Sequence, residues 1–165
     1  MAKEQSFDVV STVNMQEIDN AYQQARKELT QRYDLKGSGS SIELDKSSGK
    51  FTVVAPSDFV AGQVIDIIGS KLVKRGIDLK SISWGAPTTS SGGNVTRTGT
   101  IIQGIDRDTC GKINKDIKAQ KFKVKVQIEG DQLRVSSPSR DTLQSVIAFL
   151  KEQDYGQPLQ YVNYR

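Results

Sequence analysis

The chain contains an internal repeat in which apolar residues recur after 82 positions. The matching pairs are Ile42 with Val124, Leu44 with Val126, Phe51 with Leu133, Val53 with Val135, Pro56 with Pro138, Ser57 with Ser139, Val64 with Val146, Ile65 with Ile147 and Ile68 with Leu150. A gap-free period of this length predicts one folding unit present twice. Each copy has about 80 residues, which is near the lower limit for a domain that folds alone.

The two copies show the same predicted order of elements. The first predicts a strand at 7–13, a helix at 15–33 after the cap Asn14, a hairpin at 40–55, a helix capped by Ser57 and a strand at 77–84. The second predicts a strand at 95–105, a helix capped by Asp106, a hairpin at 122–135, a helix capped by Ser139 and a strand at 159–164.

This order predicts an α+β protein made of two βαββαβ domains in tandem. The compact arrangement of each is ferredoxin-like, or RNP-like: a four-stranded sheet with both helices on one face. We place the first domain at residues 1–88, the second at 94–165 and a Gly- and Ser-rich connector at 85–94. Strand 7–13 can pair within its own domain or be exchanged into the other sheet, and the sequence leaves both pairings open.

Lysine alternates with apolar residues in one predicted strand of the second copy. Phe122, Val124, Val126 and Ile128 are expected to face the helices, so Lys121, Lys123 and Lys125 should share the open sheet face. Arg134 on the next strand should join them. Four neighbouring cations repel one another unless an anion lies across them, so the sequence predicts an anion-binding face.

The charge distribution favours the same part of the chain. Of the net charge of +4, none comes from residues 1–90, where 11 basic residues balance 11 acidic ones. Residues 91–165 carry 12 basic and 8 acidic residues, which predicts an anionic partner. Lys112, near the start of the helix that Asp106 caps, is a further candidate because helix N-termini attract phosphate, and the favoured alternative is that Asp106 itself takes the anion position as the cap. A solvated surface without a ligand is the alternative interpretation.

The residues that are missing argue against an enzyme. The chain has no histidine, which removes the usual general base and histidine metal sites. Cys110 is predicted to be a small buried thiol, and we expect no catalytic residue, metal site or cofactor. A single cysteine cannot form an internal disulfide, and no apolar stretch is long enough for a membrane span or signal peptide. A cytoplasmic protein is therefore expected.

Several motifs along the chain resemble those of the bacterial YajQ family. They are Ser6-Phe7-Asp8-Val9-Val10-Ser11, Lys71-Leu72-Val73-Lys74-Arg75-Gly76-Ile77, Gln103-Gly104-Ile105, Gln127-Ile128-Glu129-Gly130-Asp131-Gln132-Leu133-Arg134-Val135, Ser139-Arg140-Asp141, Gly156-Gln157-Pro158 and Asn163-Tyr164-Arg165. The resemblance implies tandem ferredoxin-like domains in a cytosolic protein. It also implies nucleotide binding, in some members of cyclic di-GMP with an effect on a transcription factor, and RNA binding.

Three functional hypotheses follow. A nucleotide sensor would bind GTP or a diphosphate such as cyclic di-GMP, with Arg134, Arg140 or Arg165 on guanine or phosphate. An RNA-binding protein would use the lysine face and contact mainly phosphates, because the aromatic pair that RNA-recognition modules stack on bases is absent here. A protein-interaction module would dock a partner on the open sheets. We favour the sensor on the grounds of family resemblance, and either the sensor or RNA binding on the grounds of charge.

Overall fold

The chain folds into two compact units of mixed α and β structure. The computed structural model describes residues 3–90 and 92–165; residues 1, 2 and 91, which belong to the predicted first domain and connector, lie outside the described residues. Unit 1 comprises the described residues up to Thr12 together with Gln103–Arg165, and unit 2 comprises Val13–Ile102. Within the described part of the chain, no helix has both the length and the apolarity that a membrane crossing needs.

Nine strands and four helices are found in the described residues. In chain order they are β1 (Gln5–Val10), α1 (Met15–Gln31), β2 (Ser41–Asp45), β3 (Lys50–Ala55), α2 (Asp58–Lys74), β4 (Ile82–Trp84), β5 (Thr88–Thr89), β6 (Val95–Ile101), α3 (Arg107–Ala119), β7 (Lys125–Glu129), β8 (Gln132–Ser137), α4 (Arg140–Lys151) and β9 (Gln160–Val162). A single 3-10 turn, Leu79–Ser81, precedes β4.

Unit 1 consists of an antiparallel sheet with the strand order β7-β8-β1-β9 and the helices α3 and α4. Phe7, Val9, Leu133 and Val135 are fully buried and share a core with both helices. Successive side chains of a strand point to opposite faces. The residues between these core positions, including Asp8 and Arg134, therefore point to the face away from the helices.

Unit 2 consists of an antiparallel sheet with the order β2-β3-β6-β4, extended by β5 on β6, and the helices α1 and α2. Phe51 and Val53 are buried with both helices. Gly99 of β6 lies opposite Trp84 of β4, and a Cβ at Gly99 would be 2.9 Å from the Trp84 ring. The absent side chain therefore leaves room for the indole, whose centroid lies 6.2 Å from that of Phe51.

The boundary predicted at 85–94 was wrong. The strand Val95–Ile101, placed in the second domain, pairs with β3 and β4 of unit 2, while β1 pairs with β8 and β9 of unit 1. The described residues between 85 and 94 form a connection within one sheet, since Thr88 and Thr89 pair with β6. Consecutive strands usually pair with each other, and β4 and β6 do so here as antiparallel neighbours. The repeat had instead predicted that β6 would start the sheet of the second domain.

The repeat also needs a correction of two residues at β7. Val126 pairs with Val135, whereas Ile42 pairs with Val53, so β7 follows β2 by 84 positions and not 82. The reason is the turn: residues 46–49 join β2 to β3, but only Gly130 and Asp131 join β7 to β8. Of the three predicted lysines, Lys125 is therefore the first residue of β7, and Lys121 and Lys123 lie before the strand.

All four predicted helix caps are confirmed. Asn14, Ser57, Asp106 and Ser139 precede α1, α2, α3 and α4, and each side chain accepts a hydrogen bond from a backbone N–H two or three residues later. Such caps pair donors that the first turn of a helix otherwise leaves free. The equivalence of Ser57 and Ser139 supports the 82-residue repeat over the second hairpin strand and second helix of each copy.

Candidate functional site

Arg134 is engaged by acidic residues of its own unit. Its Nε donates a 3.0 Å hydrogen bond to Oδ1 of Asp8, and its Nη1 donates a 3.4 Å bond to Oε1 of Glu129. Asn163 completes the group, because its Nδ2 donates a 2.8 Å bond to Oδ2 of Asp8. The predicted face of four unpaired cations is therefore wrong at Arg134, whose charge is largely balanced within the sheet.

The Asp8 carboxylate is stabilised in its charged form although its residue is only 1% exposed. Burial by itself raises the pKa of Asp8, but the hydrogen bonds from Arg134 and Asn163 and the charges of Arg134 and Arg165 outweigh it and hold the pKa below the usual value. Asp8 is therefore a structural counterion at the centre of the sheet.

The three predicted lysines do not share one strand. Strand β7 begins only at Lys125, while Lys121 closes the turn after α3 with a φ of 61° and Lys123 lies in the irregular stretch between them. All three are exposed. The prediction that they belong to one continuous strand was wrong for Lys121 and Lys123, because the shorter turn moves the pairing towards the C-terminal end of the segment.

Lys123 and Lys125 do line one surface cavity of about 460 Å³. Its other lining residues are Glu4, Phe122, Val124, Ser136 and Pro138. The carboxylate of Glu4 makes this cavity less suited to a small anion than two lysines alone would be. An extended polyanion can still contact both ammonium groups, since neither side chain is buried.

Lys112 lies on α3 above an aromatic ring. Its Nζ is 5.7 Å from the centroid of Tyr155, and the Tyr155 hydroxyl donates a 2.8 Å hydrogen bond to Oδ2 of Asp116. Burial and this bond to Asp116 raise the pKa of Tyr155. Lys112 thus packs on the surface of α3 and does not line the cavity of Lys123 and Lys125 or the cavity of Arg140 and Arg165.

Arg140 and Arg165 line a second, smaller cavity of about 170 Å³. Arg140 is the first residue of α4, immediately after the cap Ser139, and Arg165 follows β9. The other lining residues are Gln5, Ser6, Leu143, Gln144 and Tyr164. Of the seven predicted site residues, these two arginines form the pair that shares a cavity with no Asp or Glu among its described lining residues.

The backbone holds the C-terminal arginine in place. Ser6 N–H donates to the Arg165 carbonyl at 3.2 Å, and Arg165 N–H donates to the Ser6 carbonyl at 3.0 Å. Asn163, with a φ of 56°, turns the chain after β9 towards this pair. The reciprocal bonds fix the main chain of Arg165 against β1, with one extra residue on the C-terminal segment relative to the β1–β9 register.

Tyr164 is the aromatic residue of this cavity, and the site prediction did not include it. It is 61% exposed, and its ring centroid lies 6.3 Å from that of Phe7. An exposed aromatic ring in the same cavity as two arginines is a surface on which a base can stack. The signal was present in the closing Asn163-Tyr164-Arg165 motif, but the sequence did not indicate that Arg140 would lie beside it.

Cys110 has the environment that was predicted. It is fully buried, its thiol donates a 3.6 Å bond to the Ile105 carbonyl, and burial together with the charges of Asp106 and Asp131 raises its pKa. A thiol of this kind is a poor nucleophile. In residues 3–90 and 92–165, no three His, Cys, Asp or Glu side chains lie close enough together to hold a metal ion.

Comparison with known proteins gives a consistent match over the chain. The family model described as "Nucleotide-binding protein YajQ-like" matches residues 5–165. Proteins named nucleotide-binding protein from Desulfitobacterium hafniense and Bacillus mycoides are 48% and 47% identical to it, each covering 100% of both chains. One of the same name from Chloroherpeton thalassium is 44% identical over 97% of both chains. The chain therefore belongs to the YajQ family.

Proposed function

We propose that this protein is a non-catalytic nucleotide-binding protein whose ligand is a guanine nucleotide such as cyclic di-GMP or GTP. The observation that carries the proposal is the cavity in which Arg140 and Arg165 lie beside the exposed ring of Tyr164. The names of the relatives, which are called nucleotide-binding proteins, support the same class of ligand.

The chemistry of the cavity suits a phosphate next to a base. A guanidinium is planar and permanently charged, so it can bind phosphate oxygens in pairs or stack on a base. Gln144 and Gln5 add amide groups that can donate or accept hydrogen bonds at the edge of a base. Each of these groups lies in unit 1, so the proposed site needs no contribution from unit 2.

The volume of the cavity limits what it can enclose. Pockets that surround a whole drug-sized molecule usually have about 300 Å³ or more, and this cavity has about 170 Å³. It therefore accommodates a phosphate or one edge of a base, with the rest of the nucleotide on the surface beside Tyr164. This arrangement favours a ligand with more than one phosphate, because charge then supplies much of the affinity.

Isothermal titration calorimetry with cyclic di-GMP, GTP and ATP tests the proposal. We expect a saturable site near one per chain, and we expect Arg140→Ala and Arg165→Ala each to weaken it by about tenfold or more, as for a lost charged hydrogen bond. Lys115→Ala, an exposed change on α3, is the control and should bind as the unaltered protein does. No saturable heat with any of the three nucleotides would exclude the proposal.

RNA binding is the second candidate function. It is favoured by Lys123 and Lys125, which face one cavity, and by the neighbouring exposed Lys121. An RNA strand would cross this surface through its phosphates, with little reading of the bases. Docking of a protein partner on the open sheets, the third hypothesis, has no comparable cluster of side chains in its favour.

The finer fold assignment is part of the proposal. The strand orders β7-β8-β1-β9 and β2-β3-β6-β4, each with two helices, support two ferredoxin-like units that have exchanged their first strands, β1 and β6. We extend the proposal to a cytoplasmic protein that relays the bound nucleotide to a partner such as a transcription factor. Co-purification of such a partner only in the presence of the nucleotide would test the relay.

A further inference from the structure

Unit 2 has an apolar surface groove that the proposed nucleotide site does not use. The groove has a volume of about 540 Å³ and lies between α2 and the segment that runs from the 3-10 turn into β4. Ile65, Leu72, Ile82 and Trp84 form much of its wall. Two apolar side chains at its border are largely exposed, Val73 at 58% and Leu79 at 53%. An exposed apolar patch of this kind is typical of an interaction surface.

The charges beside the groove have a regular arrangement along α2. Asp66, Ser70 and Lys74 are exposed lining residues that recur every four positions, so they form one polar row on the helix. A rise of 1.5 Å per residue separates Asp66 from Lys74 by about 12 Å along the axis. In the described part of the chain neither of them has an ion-pair partner.

The apolar residues next to this row are centred one residue earlier on the helix. Ile65 and Val73 are equally distant from Gly69, as Asp66 and Lys74 are from Ser70. The middle of the two rows carries small residues, Gly69 and Ser70, and the Leu79 side chain packs against Gly69, where a Cβ would lie 3.3 Å from Cδ2 of Leu79. Helix axes approach most closely where the side chains at the contact are small.

We propose that a second copy of this chain occupies the groove, with the two α2 helices antiparallel about a two-fold axis beside Gly69 and Ser70. Reversing the helix direction about Ser70 brings Asp66 of each copy opposite Lys74 of the other. The same operation brings the exposed Val73 of each copy to within two helix positions of Ile65 of the other, which is about 3 Å along the axis. A two-fold contact requires a self-complementary surface, and the row from Asp66 to Lys74 is self-complementary in charge.

Sedimentation analysis of charge variants of the full chain tests this arrangement. The unaltered protein should dimerise, and Asp66→Lys or Lys74→Glu alone should weaken the dimer by more than about tenfold, because each places like charges opposite one another twice. An equimolar mixture of these two variants should dimerise again, since Lys at position 66 then faces Glu at position 74, and the native Lys74 faces the native Asp66. The double variant Asp66→Lys/Lys74→Glu should dimerise by itself for the same reason.

Two outcomes would overturn the proposal. The first is an unaltered protein that stays monomeric up to millimolar concentration, which would leave the groove to a different kind of partner. The second is a dimer that both single variants retain, which would place the contact elsewhere. Lys115→Glu on α3 is the control for a change of net charge and should dimerise normally. Circular dichroism and melting temperature should show that every variant is folded, since both positions are exposed.

Discussion

Arg134 of β8 donates a 3.0 Å hydrogen bond to Asp8 of β1, a residue 126 positions earlier in the chain. The two residues lie directly opposite each other in the antiparallel pair of strands. Between them they join the start of the chain to the last hairpin of unit 1. The contact therefore stabilises the pairing of β1 with its sheet, in addition to orienting the guanidinium.

Asp8→Asn is expected to destabilise unit 1. Loss of the charge leaves the Arg134 guanidinium, whose side chain is 26% exposed, without its main counterion, and the new amide group would face the amide of Asn163. We expect a loss of about 2 kcal/mol in the free energy of unfolding, by comparison with other partly buried charge pairs that lose one partner. Urea unfolding of the variant and of the unaltered protein measures this difference in the free energy of unfolding.

Glu129→Gln is the matched control. The Glu129 side chain is 41% exposed and lies 3.4 Å from Arg134, so its removal should change the stability by less than about 0.5 kcal/mol. Equal effects of the two substitutions would contradict the assignment of Asp8 as the principal counterion.

The same carboxylate should give the protein an acid-sensitive component of stability. The pKa of Asp8 is lower in the folded protein than its ordinary value of 3.8. The charged form is therefore favoured by folding, and its contribution is complete above the unfolded-state pKa and is lost as the pH falls through the folded-state pKa. Unfolding curves of the unaltered protein and of Asp8→Asn should converge below pH 3.8; a constant difference in this range would contradict the prediction.

Local patterns in the sequence were sufficient to predict most of the elements. The caps Asn14, Ser57, Asp106 and Ser139 depend on neighbouring residues only, and each was assigned correctly. The partner of a strand depends on the whole chain. A sequence order of βαββαβ is compatible with β1 in either sheet, so the placement of β1 was left open, whereas β6 was assigned to the wrong unit.

The site was less predictable for the same reason. Alternation correctly indicated that Lys123 and Lys125 are exposed, but the sequence could not show that Asp8 would lie opposite Arg134. The meeting of Arg140 with Arg165 depends on the C-terminal segment pairing with Ser6, which is a contact between the two ends of the chain. Such long-range contacts leave no periodic trace in the sequence.

Gly104→Ala is expected to destabilise unit 1 more than an ordinary substitution in a loop. Gly104 has a φ of 80°, and a Cβ on it would lie 2.5 Å from Oδ2 and 2.9 Å from Cβ of Asp131. The loop cannot easily move, because Gly104 N–H donates to the Ser11 carbonyl and Ile105 N–H to the Asp131 carbonyl. We expect a loss of more than about 2 kcal/mol from strain and displaced hydrogen bonds together.

Gly130→Ala separates the backbone cost of a positive φ from the cost of the contact with Asp131. Gly130 also has a positive φ, of 62°, but a Cβ there would meet no atom within 4 Å. It should therefore show the backbone cost alone, about 1 kcal/mol. If thermal or urea unfolding gives equal losses for the two alanine variants, the contact with Asp131 has no energetic importance.

Lys123→Ala/Lys125→Ala distinguishes RNA binding from nucleotide binding. If phosphates of a single strand contact both lysines, the slope of log affinity against log salt should decrease in magnitude by about 1.4. Titrations of a fluorescent single-stranded RNA at several salt concentrations measure this slope. An unchanged slope would exclude these lysines from RNA contact, and the double variant should bind a mononucleotide at Arg140 with unaltered affinity.

Tyr164→Leu should weaken nucleotide binding without unfolding the protein. The ring is 61% exposed, so its contribution to stability is small, whereas stacking of a base on an aromatic ring is worth about 1–3 kcal/mol. Tyr164→Phe keeps the ring and removes only the hydroxyl, so it should retain most of the affinity measured by calorimetry. Comparable losses in both variants would assign the effect to the hydroxyl. Full affinity in Tyr164→Leu would show that the base does not stack on this ring, and would confine the site to Arg140, Arg165 and the glutamines beside them.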